Sequence, residues 1–241
     1  MLTVTLTLAA LVAAIISGMI GMAGGILLLT VMLLAGLSPA VAIPLHAVVQ
    51  LTSNVTRVAA YRKTVRWRSA ALFIAISLPM PWIGLQIVDQ LDPIATKGLI
   101  GLVVLAATWA PKGGLDILPE RVSMGIAGTL AGIFGVVIGA VGPLVAPFFL
   151  RSTWKKEEVV GSKAACQSAI HLIKIGVFSG IGFAFTAYWD LLLPLLIAVI
   201  VGTWIGKALN ARMSPQRFVL IYRVVLSLLA LRLIYAGWLA D

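Results

Sequence analysis

The chain of 241 residues is 61% hydrophobic and only 11% charged, with a mean hydropathy of +1.09, whereas a soluble domain carries about 25% charged residues. So few charges exclude a folded soluble surface, and since each crossing of a roughly 30 Å hydrocarbon core takes about 20 apolar residues, the length allows at most about eight or nine crossings and no soluble domain besides. The formal charge of +10 is carried largely in short loops between apolar segments, which marks membrane topology and not nucleic-acid binding, and the single Cys166 excludes an intrachain disulfide and a thiolate metal cluster.

The chain begins Met1-Leu2-Thr3-Val4-Thr5-Leu6 with no early Lys or Arg, so its first segment is expected to belong to the mature fold and not to a cleaved signal. Residues 2–37 form an apolar run interrupted by Gly21-Met22-Ala23-Gly24-Gly25. As one straight helix it would measure about 54 Å, too long for one crossing and too short for two comfortable ones. Three spans follow at 39–60, 69–89 and 94–110. A second glycine-broken segment, 122–150, contains Gly135, Gly139, Gly142 and Pro143, and three more spans follow at 157–185, 190–209 and 215–238.

Three matches relate the two halves. Gly18-x-x-Gly21 recurs as Gly132-x-x-Gly135; Ala47, Gln50, Asn54 and Arg57 recur as Ala164, Gln167, His171 and Lys174; Trp82-Ile83-Gly84 recurs as Trp204-Ile205-Gly206. The offsets of 114, 117 and 122 keep their order and differ only by short insertions. Duplication explains this better than chance, and it divides the chain into repeats at 1–115 and 116–241.

The loop charges then orient the repeats. Arg62, Lys63, Arg66 and Arg68 make one loop basic, and Asp89 and Asp92 make the next acidic. The equivalent loops reverse this, with Asp190 at the first and Lys207, Arg212 and Arg217 at the second. Cytoplasmic loops are rich in Lys and Arg, so equivalent loops are expected on opposite sides, as in inverted-repeat transporters. The expected fold is an all-α integral membrane protein of two inverted repeats, each a re-entrant or short broken hairpin plus three transmembrane helices. Backbone that turns at membrane depth is tolerated only where protein or a water-filled cavity surrounds it, so the two turns mark the expected site.

Glycines there let a ligand approach the main chain, and the half-helix that follows each turn presents N–H groups that favour anions. The expected substrate contacts are Gly21, Gly24, Gly25, Gly139 and Gly142. Close helix packing through small residues is the competing explanation. Gln50, Asn54 and Arg57 share one helix face, as do Gln167, His171 and Lys174. Polar side chains inside a span usually face a bundle interior or a pathway, so the amides and His171 join the expected contacts while Arg57 and Lys174 draw the anion in from either face. Alternatively the two cations snorkel and the amides bond neighbouring helices. His46, near a span end, carries less weight, and two histidines far apart in sequence with no carboxylate inside a span point to no metal site, cofactor or catalytic centre.

Ser17-Gly18-Met19-Ile20-Gly21-Met22-Ala23-Gly24-Gly25, the run Gly132-Ile133-Phe134-Gly135 with Gly139 and Gly142-Pro143-Leu144-Val145-Ala146-Pro147, and Gly161-Ser162-Lys163-Ala164-Ala165 together resemble the TauE/SafE family of membrane permeases over essentially the whole chain. Ala23 stands where that pattern would have another glycine, and Thr30 where the second half has Pro147. The resemblance implies a secondary transporter of small anions such as sulfite, thiosulfate, sulfonates or related organic acids, multi-pass in a bacterial or archaeal cell membrane. The coupling proton or cation and the oligomeric state are left open. A channel is the nearest rival, a membrane enzyme the next.

Overall fold

The computed structural model describes residues 1–20, 24–88, 90–109, 118–149, 151–209 and 215–239. Among them it is helical throughout: α1 Leu2–Ile20, α2 Gly24–Leu34, α3 Pro39–Tyr61, α4 Trp67–Ser77, α5 Met80–Val88, α6 Pro93–Trp109, α7 Glu120–Ile138, α8 Gly142–Phe149, α9 Lys156–Gly180, a 3-10 turn Phe185–Tyr188, α10 Trp189–Leu209 and α11 Pro215–Trp238. Helix is what a membrane demands, because each backbone N–H and C=O must find its partner inside the segment. Among the described residues, three helices are long and apolar enough to cross a bilayer, within Leu2–Met19, Glu120–Ile138 and Phe185–Leu209. A fourth crossing is available if Trp67–Ser77 and Met80–Ile87, bent by 45°, act as one span. Pro79 and Pro81 flank that bend, and proline removes the N–H that would carry a helix through it.

The two glycine-broken segments are uneven hairpins. Their first limbs, α1 and α7, have 19 residues each and run about 28 Å; their return limbs, α2 with 11 residues and α8 with 8, run only about 16 and 12 Å. The expected break is therefore present in both halves, and it follows a full-length helix instead of dividing the segment evenly. Gly139 closes α7 with a positive φ of 80°, a backbone conformation that glycine adopts without penalty.

Packing pairs recur between the halves. α1 lies on α10, and α7 on α4 and α5; α2 meets α3 and α11, and α8 meets α9 and α6; α3 crosses α9, and α6 lies against α11. The close approaches are made by glycines. A Cβ on Gly202 or Gly206 would meet the carbonyls of Leu11 and Ile15 on α1, at 2.6 and 2.1 Å, and one on Gly84 would meet that of Ile133 on α7 at 2.2 Å. The tryptophans that precede two of these glycines, Trp82 and Trp204, face outward and are more than half exposed. The repeated Trp-Ile-Gly thus packs through its glycine and turns its ring to the surroundings, and Ile197 and Leu228 are likewise exposed. Apolar residues outside and polar residues inside suit lipid as the solvent.

At one end of the bundle, Arg66 pairs with Glu158 at 3.1 Å and with Glu120 at 3.4 Å, and Lys207 lies 5.7 Å from the Tyr61 ring. Arg151 closes the α7–α8 hairpin at this end by donating to Ser123 Oγ and Leu118 O. Of the residues that oriented the loops, Asp89 and Arg212 lie outside the described residues, as does the side chain of Arg217.

Candidate functional site

Both α3 and α9 have the length to cross a membrane, with 23 and 25 residues, yet each carries a polar stripe. They cross so that these stripes face each other: the His46 and His171 rings lie 5.8 Å apart, edge to face. A small cavity opens at the crossing. Its polar lining is Gln50, Asn54, Arg57 and His46 from α3, Gln167 and His171 from α9, and Ser17 from α1; the starts of the half-helices α2 and α8 contribute Gly25 and Gly142. Ile26, Ala140, Val141 and Ile170 complete it from the two apolar clusters on either side.

The glycines hold the half-helices against the amides. A Cβ on Gly25 would sit 3.2 Å from Gln50 Oε1 and 3.5 Å from His46 Nε2; one on Gly142 would sit 2.6 Å from Gln167 Nε2 and 4.0 Å from Lys163 Nζ. All three pairings obey the same offset of 117: Gly25 with Gly142, His46 with Lys163, Gln50 with Gln167. The first turn of each half-helix leaves N–H groups without an intrahelical partner and carries the positive end of the helix dipole.

Arg57 is 2% exposed and fixed by its neighbours. Its guanidinium donates to Asn54 Oδ1 at 2.9 Å, Ser17 Oγ at 2.6 Å and Ser53 Oγ at 3.3 Å, while Asn54 Nδ2 donates to Gln50 O at 2.9 Å. His46 Nε2 donates to Gly25 O at 2.8 Å, which ties α3 to α2. Lys174 is fully buried and reaches back to the end of α7, where its ammonium donates to Gly135 O at 3.2 Å and Gly139 O at 2.7 Å. No carboxylate is among the buried side chains described. The site is thus a polar pocket with buried Arg57, two helix N-termini and, among the described residues, no carboxylate, a setting that takes an anion readily.

Of the residues singled out from the sequence, Gly25, Gln50, Asn54, Arg57, Gly142, Gln167 and His171 come together around this cavity. Gly21 lies outside the described residues. Gly24 packs against Ala13 and Ser17 of α1, while Gly139 packs against Leu29 and Ile43; neither lines the cavity, and Lys174 meets carbonyls behind it. Ser17 and His46, which line the cavity, and Lys163, whose Nζ reaches toward the start of α8, were not among the expected contacts. The offset that pairs Gln50 with Gln167 also pairs His46 with Lys163, so a signal for both was present in the repeat.

The fold and the pocket define a class, that of integral membrane proteins built around a buried, cation-bearing cavity. The sequence profile described as Sulfite exporter TauE/SafE matches residues 6–233. The chain belongs to this family of membrane transporters of sulfur anions. No curated protein and no solved structure matches it.

Proposed function

We propose that this chain is a secondary transporter of small anions, sulfur oxyanions or sulfonates above all, working in a prokaryotic inner membrane. It binds its substrate in the α3–α9 cavity between the starts of α2 and α8. The observation that carries this reading is that equivalent residues of both halves line one pocket that holds buried Arg57 and, among the described residues, no carboxylate. A site of this kind, formed at the interface of two repeats from broken helices, suits alternating access, in which the halves rock about a fixed centre.

The halves act as inverted repeats. The reversed loop charges favour this, and the recurring helix pairs are those that a two-fold relation between the halves requires. Cysteines introduced at 63 and 212 are expected to label from the same, cytoplasmic side; labelling from opposite sides removes the inversion.

Saturable, gradient-driven uptake of an anion such as thiosulfate into vesicles is the expected activity. Gln50→Ala and Gln167→Ala should each lower it about tenfold by removing a hydrogen bond inside a desolvated site. Unimpaired uptake by both variants, correctly inserted, would remove the cavity as the binding site.

A further inference from the structure

Lys163 and Lys174 lie on the same helix, both entirely buried, and differ in what their ammonium groups reach. Lys174 ends on two carbonyls at the C-terminus of α7, where the helix dipole also favours a cation. Lys163 Nζ has no hydrogen-bond partner among the described residues. It points to the start of α8, 4.0 Å from where a Cβ on Gly142 would stand, beside the Gln167 amide. Arg57 lies within Coulomb range of it, with no buried carboxylate described to offset either charge. A buried, unpaired ammonium is a large cost to the empty protein. Packing does not require it, since an apolar chain of similar length would fill the same space. The arrangement has a use if a ligand supplies the missing negative charge.

We propose that Lys163 is a substrate-binding residue and that together with Arg57 it selects anions carrying two negative charges over singly charged ones. The assignment rests on the anion-transport reading above and names the class of anion. A monoanion can offset only one of two neighbouring cations, whereas a dianion offsets both and relieves their mutual repulsion. The α8 N-terminus adds donors at the same point, and so does the Gln167 amide, whose Nε2 stands 2.6 Å from where a Cβ on Gly142 would be.

The test is ligand-induced thermal shift of the full chain at neutral pH, titrated with thiosulfate, a dianion, and with methanesulfonate, a monoanion. Wild type should prefer thiosulfate by about tenfold or more, the second charge adding a Coulomb contribution inside a partly desolvated site. Lys163→Met should reduce the preference to within about twofold while melting, without ligand, at or above the wild-type temperature, since it removes an uncompensated buried charge. Lys163→Arg, which keeps the charge, should retain the preference and covers the case in which the methionine variant fails to accumulate. Equal binding of both anions by wild type, a preference that survives in Lys163→Met, or one lost in Lys163→Arg would overturn the assignment and leave the anion site standing. If neither anion shifts the melting of wild type at any concentration, the anion reading itself falls and takes the assignment with it.

Discussion

The two halves of the cavity use equivalent positions and place their cations differently. In the first, Arg57 reaches into the pocket and is held there by Ser17, Ser53 and Asn54, while His46 is tied to Gly25. In the second, the counterpart of Arg57 is Lys174, which turns away to the end of α7, and the counterpart of His46 is Lys163, whose ammonium faces the start of α8. With Lys163 assigned as proposed, each half brings one cation to the site, from different rungs of the same ladder. The lesson is that a residue pattern shared by the two halves fixes the positions available to a site, while the hydrogen-bond partners within reach decide which of them face a ligand.

Removing the first half's cation gives the sharpest test. Arg57→Met should lower uptake of thiosulfate by about 100-fold or more, because it takes away a buried charge and leaves Ser17, Ser53 and Asn54 without their donor. Arg57→Lys should recover part of this, since an ammonium restores the charge without the planar fork. If Arg57→Met transports normally, the first half does not contribute its cation to binding.

Lys174→Met probes the second half where it is structural. It strips the Gly135 and Gly139 carbonyls of their donor and should cost about 1–3 kcal/mol, read as a lower melting temperature, with the choice between anions retained. A higher melting temperature, or a changed preference, would abolish the contrast between the two lysines.

The smallest expected effects come from the glycines. Gly142→Ala brings a methyl group within 2.6 Å of Gln167 Nε2, and Gly25→Ala places one at 3.2 Å from Gln50 Oε1. In both cases the far end of a flexible side chain must move. Uptake is expected to fall about tenfold for the tighter site and only about twofold for the looser one, as displaced contacts weaken binding. The reverse order would mean that the first half-helix lies closer to the substrate than the second.

Much of this was legible in the sequence because it rests on local pattern. Apolar runs of bilayer length gave the helices at nearly their observed bounds, and the glycine clusters gave the breaks. The 117-residue offset identified Gln50 with Gln167 and Arg57 with Lys174. Proline chemistry explains the split of 69–89 into α4 and α5, a local cue that the hydropathy of the run conceals. The roles of individual glycines were not legible, because Gly24 and Gly139 look like Gly25 and Gly142 until their neighbours on α1, α2 and α3 are known.

Composition and periodicity by themselves determined that this chain belongs in a membrane, that a pattern of residues recurs between its halves, and that its polar residues fall on two helix faces; these follow from short-range spacing and the cost of charge in lipid. Only the tertiary structure decided which residues share the cavity, since that depends on where α3 crosses α9. Among the described residues, Lys174 finds two carbonyls at the end of α7 and Lys163 finds none, and no reading of spacing could separate them, because a buried ammonium is defined by the atoms that surround it.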